Sequence, residues 1–549
     1  MTLILRGGQV WTGDPERPEA SAVAVSGGRI AAVGDDAEVR RAAGSGPVEV
    51  FELAGRTLVP GLQDAHIHPV WGALEALRCD LTGAADAEEC VAIVREYAAA
   101  HPGQPWIRGG GWAMDCFPGG WPTRELLDSA VPDRPVFLPN SDHHSAWVNS
   151  AALACAGIDA ATPDPAAGRI ERDADGRPTG VLHEGAMDLV ARVLPEDTAE
   201  EQLRALGHAQ AMLFRYGITG WQDAIVGPYG GAGDTLAAYR QADASGLLEA
   251  RVTGALWWDR DRGLEQIDDL VARRGEPGRR FRAGAVKVMQ DGVLESATGA
   301  LLEPYLDSCG CATGNLGRSH VPAELLAEAV TRLDAAGFQV HFHAIGDRAV
   351  RECLDAVAAA VRAGGARERR HHIAHVQLVD EADIGRFAEL GVTANVQSLW
   401  ATHHPQTDEL TNPMLGERRA GQQYPFRRLL DSGARLAGGS DWPVTTADPW
   451  QAMHVAVHRT EPPGSAHSGH PGADRPFLPE ERLGLADILR AYTAGSAWVN
   501  GNDAEVGTVR EGMAADLAVL DRDLFDPAAG VAGTRAVLTM VAGTVVHAE

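Results

Sequence analysis

VPGLQDAHIHP, residues 59–69, begins as an apolar run that reads as a buried strand and ends in Asp64, His66 and His68. In a strand, side chains two apart share a face, so His66 and His68 project to the same side. Two imidazoles at that spacing can grip one metal ion from a single edge. An HxH pair taken alone reads equally well as two surface histidines at a strand end. The rest of the chain decides between the two, by whether it supplies further ligands at comparable places.

Seven more short apolar runs follow, each ending in polar residues: GITGWQDA, ARVTGALWW, AGAVKVMQDG, FQVHFHAIGD, RHHIAHVQL, GVTANVQSL and ARLAGGSDWP. Helical patterns separate them, for example over residues 323–336 and 348–363, with Asp347 placed to cap the second. Eight such strand–helix repeats predict a (β/α)8 barrel, an α/β fold of the TIM type. The spacing is uneven in one place. Between His68 and the second strand near Gly217 lies far more chain than a loop needs. Residues 70–200 are therefore expected to form an inserted subdomain over the barrel mouth, with helices of its own over 87–100 and 199–214. The first sixty residues and residues 502–549 read as short strands split by turns, as in ASAVAVSGGRIAAVG and RAVLTMVAGTVVHAE. They are expected to combine into one small β-sandwich, leaving 61–501 for the barrel and its insertion.

Composition narrows the function classes. A formal charge of −27 over 549 residues disfavours nucleic acid and anionic membranes as partners. No stretch is apolar over the length needed to span a bilayer. The N-terminal MTLILRGGQVWTGD has only a four-residue apolar run and no basic segment before it, unlike a signal peptide. Seven scattered cysteines, with Cys309 and Cys311 lacking a matching pair, point to free thiols in a reducing compartment. The expectation is a soluble cytoplasmic protein whose oligomeric state is open, a homodimer among the options.

The polar residues that end the barrel strands carry the chemistry. The first strand ends in His66 and His68, the fourth carries Lys287, the fifth His341 and His343, the sixth His375 and the eighth Asp441. Metal-ligating side chains thus converge where barrel active sites lie. Lys287 is the odd member, because an ammonium is costly among Val286, Val288 and Met289 and cannot ligate a metal. Three readings compete for it: a salt bridge to Asp441 or Asp291, a Schiff base, or a carbamate made with carbon dioxide.

In these segments the chain resembles the amidohydrolase superfamily, in the family 3 branch that includes YtcJ-like proteins and N-substituted formamide deformylases. The resemblance rests on PGLQDAHIHP, NSDHHSAWVNSAAL, ERDADGRPTGVLHE, VKVMQDG, HFHAIGDRAV, IAHVQL, GGSDWPV and GTVREGMAADLAVLD, in that order along nearly the whole chain. It implies that His66, His68, His343, His375 and Asp441 ligate two divalent metal ions. It also implies that Lys287 bridges them as a carbamate, and that Asp441 is the catalytic acid and base. Zinc suits such a ligand set, with manganese, iron and cobalt as alternatives. The implied activity is hydrolysis of a carbon–nitrogen bond, amide or N-formyl, in a small molecule by metal-activated water. A deaminase using one metal is the alternative enzyme reading, and a non-catalytic interaction protein on the same barrel is the alternative outside catalysis.

Around that set, Trp71, Trp112 and Trp400 are candidates for an apolar pocket wall, each equally at home in a core. His144 or its neighbour His143 is a candidate substrate contact from the insertion, and His183 with Glu184 reads as pocket residues or an ordinary element start. His341 is expected to pack below the metals. RERRHH, ending at His372, is expected to be a solvated connection without a ligand role.

Overall fold

The computed structural model describes residues 2–165, 168–229, 233–365 and 367–549. Eight parallel strands run in chain order around a barrel: Leu62–Ile67, Ile218–Val226, Arg251–Trp257, Phe281–Met289, Gln339–Ala344, His372–His375, Thr393–Val396 and Leu436–Gly438. All eight expected strands are present. Strand alternation divides their side chains between two environments. Val286 and Val288, Val340 and Phe342, and Ile373 turn outward into the apolar layer shared with the helices. Lys287, Met289 and His343 turn inward to one cavity, and His375, two residues after the outward Ile373, joins them because its backbone leaves the strand at a φ of 80°.

The barrel closes between its last and first strands through individual bonds. Asp441 N–H donates to the His66 carbonyl at 2.7 Å, and His68 N–H donates to the Trp442 carbonyl at 2.8 Å. The Asp64 carboxylate accepts from the backbone of Ser440 at 3.1 Å and of His66 at 2.9 Å. Burial pushes the Asp64 carboxyl up to about 7 against the pull of those hydrogen bonds.

Three sequence expectations need correction. The run TLVPGLQDAHIH is two strands, parted at Gly61: Thr57–Pro60 pairs antiparallel with Leu517–Leu520, and only Leu62–Ile67 enters the barrel. A Cβ at Gly61 would lie 2.4 Å from Thr219 Oγ1, so the close approach at the parting admits no side chain without rearrangement. Asp347 does not cap the helix Asp347–Gly364. Gly346 holds the cap position, and Asp347 instead accepts from the backbone of Leu302 and Arg348, each at 2.9 Å. His371 and His372 are buried rather than solvated, because the strand His372–His375 starts inside the barrel wall.

Strands from both ends of the chain share one sheet. Thr2–Trp11, Glu19–Ser26, Arg29–Gly34, Val48–Glu52 and Thr57–Pro60 join Leu517–Leu520, Ala536–Val541 and Thr544–Ala548. Leu5, Val23, Val25, Leu517, Leu538 and Met540 form its core. Within residues 70–200, six strands from Cys79–Asp80 to Pro178–Glu184 form a third sheet, and Trp112, Trp147 and Leu138 lie in one of its cores. The helix Ala199–Arg215 leads back to the barrel. Among the described residues no helix is long and apolar enough to cross a membrane.

Candidate metal centre

His66, His68, Lys287, His343, His375 and Asp441 all line one cavity at the C-terminal ends of the barrel strands. His66 Nε2 and His68 Nε2 stand 3.0 and 3.2 Å from the same oxygen, Oδ1 of Asp441. His375 Nδ1, buried without a hydrogen-bond partner, lies 3.9 Å from Asp441 Oδ2. The ligating atoms of His66, His68 and Asp441 fall within 4.8 Å of one another. This set of buried imidazole nitrogens around one carboxylate fits a divalent cation.

Local sequence explains how the set is assembled. His66 and His68 project together from one strand end, and Asp441 reaches them after the GlyGly pair at 438–439. The pair allows the last strand to press against its neighbours. A Cβ on Gly439 would lie 2.8 Å from both Cβ and the backbone nitrogen of His66, and one on Gly438 would lie 2.4 Å from the Tyr492 ring.

Electrostatics differ sharply from residue to residue. Burial, reinforced by the Lys287 charge, lowers His66 to about 3, so it stays neutral as a metal ligand must. Burial would raise Asp441, but the neighbouring imidazoles outweigh it and hold the carboxyl well below its usual range. Lys287 has no carboxylate within 4.0 Å among the described residues, which removes the salt-bridge reading. Asp291 is occupied elsewhere, accepting from the backbone of Ala300, Ile345 and Gly346 at 2.8–3.0 Å. Burial lowers the Lys287 amine to about 7, against the opposing pull of Asp441 and Asp223.

The insertion supplies the other side of the cavity through Asp142, His143 and His144. His144 Nδ1 stands 2.8 Å from Glu184 Oε1, with the Arg260 guanidinium 3.8 Å from the other Glu184 oxygen. Burial would lower His144, but Glu184 overcomes it and raises the imidazole to about 9. His143 pairs with Glu75 at 3.4 Å and is raised likewise, burial opposing. His183 points away from the cavity, bonding Ser145 Oγ at 2.9 Å and Glu171 at 3.1 Å.

Two of the three candidate tryptophans line the cavity, each stacked on a histidine. Trp71 lies over His68 with ring centroids 4.8 Å apart, and Trp400 over His375 at 5.4 Å. Tyr229, which no sequence signal marked, stacks on Trp71 at 5.5 Å. Trp112 does not reach the cavity. It is fully buried in the insertion, where its indole N–H donates to the Leu138 carbonyl at 2.8 Å.

His341 does more than pack below the site. Its Nε2 is 2.7 Å from His66 Nδ1, and its Nδ1 is 2.7 Å from Gln222 Oε1. His372 Nε2 meets the same Gln222 oxygen at 3.0 Å. The barrel axis beneath the cavity is thus a polar layer, in a place where branched aliphatic side chains usually pack.

The sequence profile of the amidohydrolase family matches residues 49–547. The chain belongs to the amidohydrolase family. It is 32% identical over 535 residues to "Protein LONG AFTER FAR-RED 3" of Arabidopsis thaliana, across 95% of this chain and 88% of that protein. It is also 32% identical over 543 residues to an N-substituted formamide deformylase of Arthrobacter pascens, across 96% and 95% of the two chains. A crystal structure of an uncharacterized metal-dependent hydrolase from Pyrococcus furiosus superposes with a TM-score of 0.72 at 28% identity. The match covers 95% of this chain and 99% of that one. In this amidohydrolase-family chain the convergent histidines and aspartate sit at the mouth of a barrel that superposes on the Pyrococcus furiosus hydrolase.

Proposed function

We propose that this amidohydrolase-family protein is a metal-dependent hydrolase that cleaves a carbon–nitrogen bond, other than a peptide bond, in a small amide or N-formyl compound. One observation carries the reading: side chains from the first, fourth, fifth, sixth and eighth strands reach one cavity, with His66, His68 and Asp441 already within ligating reach of one another. The likeness to the metal-dependent hydrolase of Pyrococcus furiosus and to the N-substituted formamide deformylase of Arthrobacter pascens supports the reaction class.

His66, His68, His343, His375 and Asp441 would hold a pair of divalent ions, zinc being suited to a set rich in imidazole. Such ions supply polarisation of a carbonyl and a water acidic enough to attack it near neutral pH. Lys287 is assigned as a carbamate, which replaces a buried ammonium lacking a carboxylate partner with an anionic oxygen ligand. Asp441 receives the proton of the attacking water at Oδ2, the oxygen not shared by His66 and His68, and delivers it to the leaving nitrogen. His144, fixed through Nδ1 by Glu184, presents its opposite edge to the cavity and orients the substrate.

The test is a panel of N-formyl, N-acyl and cyclic amides offered to metal-loaded protein, with amine and acid release both read. Stoichiometric amine and acid are expected from at least one amide. Ammonia released from an amidine-like ring without acid would replace this reading with deamination.

A further inference from the structure

A chain of hydrogen bonds runs down the barrel axis from His66 to the cavity at the opposite end of the barrel. His66 Nδ1 lies 2.7 Å from His341 Nε2, and His341 Nδ1 lies 2.7 Å from Gln222 Oε1. Gln222 Nε2 donates to Gln339 Oε1 at 2.9 Å. Gln339 Nε2 in turn donates to two backbone carbonyls, Arg370 at 2.6 Å and Val499 at 2.8 Å. Gln339 borders the lower cavity, and Gln222 and His341 are fully buried.

The direction of this chain is set at its lower end. A carbonyl oxygen can only accept, so the atom of Gln339 facing Arg370 and Val499 must be its NH2. Its oxygen therefore faces Gln222, which must answer with an NH2 and turn its own oxygen to His341. His341 then donates from Nδ1 and offers a lone pair at Nε2, so His66 donates from Nδ1. That leaves the Nε2 lone pair of His66 aimed at the metal cavity. Flipping any one amide would set oxygens against oxygens 2.6–2.9 Å apart.

A side branch enforces the same choice. Asn395 Nδ2 donates to the Ala65 carbonyl at 2.9 Å and meets His372 Nδ1 at 3.2 Å. His372 therefore donates from Nε2 to Gln222 Oε1 at 3.0 Å, the oxygen that His341 also uses.

We infer that Gln339, Gln222 and His341 form a positioning relay that holds His66 in the tautomer with its Nε2 lone pair free to ligate metal. The inference rests on the metal-centre reading above and adds to it three residues that do not line that cavity. Partners at this remove orient a ligating imidazole, and their loss typically weakens metal affinity by about 10–100-fold. Gln222→Met and Gln339→Met remove successive links without touching a ligand. Gln222→Glu keeps the link, since a buried protonated carboxyl both accepts from the two histidines and donates to Gln339.

The experiment measures Zn2+ affinity of the full-length wild type and these three variants by competition with a chromophoric chelator, with unfolding curves recorded alongside. About a tenfold or greater loss is expected for Gln222→Met, a smaller loss for Gln339→Met, and near wild-type affinity for Gln222→Glu. Gln339 borders a cavity and its variant leaves the centre of the barrel intact, so it carries the test if Gln222→Met does not fold. Wild-type protein that binds Zn2+ while folded Gln222→Met or Gln339→Met binds it equally would overturn the relay alone. Wild-type protein that binds no divalent metal would overturn the functional reading and the relay with it.

Discussion

Asp441 meets His66 twice: its backbone N–H donates to the His66 carbonyl at 2.7 Å, and its carboxylate stands 3.0 Å from His66 Nε2. The contact that closes the barrel between its eighth and first strands is therefore also the contact that builds the candidate metal centre. Fold and site are coupled at this one place, and substitutions here separate chemistry from architecture.

Asp441→Asn keeps the shape and the backbone bond but removes the proton acceptor. Turnover is expected to fall by about a thousandfold or more, as losses of central catalytic groups do. Metal content, read by elemental analysis, should fall less than in His66→Ala or His68→Ala. Near-normal turnover in Asp441→Asn would mean that another group accepts the proton.

Gly439→Ala tests the architecture without replacing a ligand. The new methyl would lie 2.8 Å from His66 Cβ and backbone nitrogen and 2.9 Å from Asn395 Oδ1, so strand or ligand must move. A cost of about 1–3 kcal/mol is expected from overpacking, together with reduced metal content. Unfolding midpoints and metal analysis on the same preparation check both. An unchanged midpoint with full metal content would show that the joint has slack.

Lys287→Ala is expected to lose one of two metal ions and the activity, both partly restored by a short free carboxylate that replaces the carbamate oxygens. The measurement is metal stoichiometry with and without added formate or propionate. Full metal content in Lys287→Ala without rescue agent would remove the carbamate from the site.

His144 and Glu184 give a pH dependence of defined sign. The folded value of His144, about 9, lies above the ordinary 6.5. Its contribution to stability is therefore complete below about pH 6.5 and is lost as pH rises toward 9. The shift corresponds to a contribution on the order of 3 kcal/mol. In metal-free protein the unfolding midpoint should drop across that window more in wild type than in Glu184→Gln. Equal drops would mean that the pair contributes no such term.

The alternation of the barrel strands made the fold legible. Lys287 between Val286 and Val288, and His343 after Phe342, could face inward only if their neighbours faced the helix layer. Position at the strand ends exposed His66, His68, His375 and Asp441, because polar residues that close apolar strands demand a reason. Partners across the barrel were not legible. Nothing in GITGWQDA says that Gln222 will meet a histidine from the fifth strand and another from the sixth, since those contacts depend on the stagger of strands. Trp112 failed for a related reason. A tryptophan in a glycine-rich loop reads alike whether its indole N–H ends on a core carbonyl, as it does at Leu138, or in a pocket. The break at Gly61 was not legible because Leu58, Val59, Pro60 and Leu62 carry apolar character straight across it, although the strands on either side serve different sheets.

The cavity wall makes a final prediction about substrate. Trp71, Tyr229, Met289, Val293, Trp400 and Val444 supply an apolar rim, while Asp142, His143 and His144 of the insertion make the opposite side polar. This is more polar than a wholly apolar amide would require, and it favours a substrate with an alkyl or aryl group on one side of the scissile bond. Because Trp71 and Trp400 stack on His68 and His375, they also back two candidate ligands. Trp400→Leu should therefore lower kcat as well as raise KM, whereas Tyr229→Leu, which lies over Trp71 and not over a ligand, should mainly raise KM. For an N-aryl or N-alkyl formamide, kcat/KM should fall by about tenfold when the aryl or alkyl group is trimmed to hydrogen, equivalent to roughly 1.4 kcal/mol of lost apolar contact. A strong preference for a phosphorylated or multiply charged substrate would contradict the wall, because no arginine lines this cavity and its two raised imidazoles, His143 and His144, are already paired with Glu75 and Glu184.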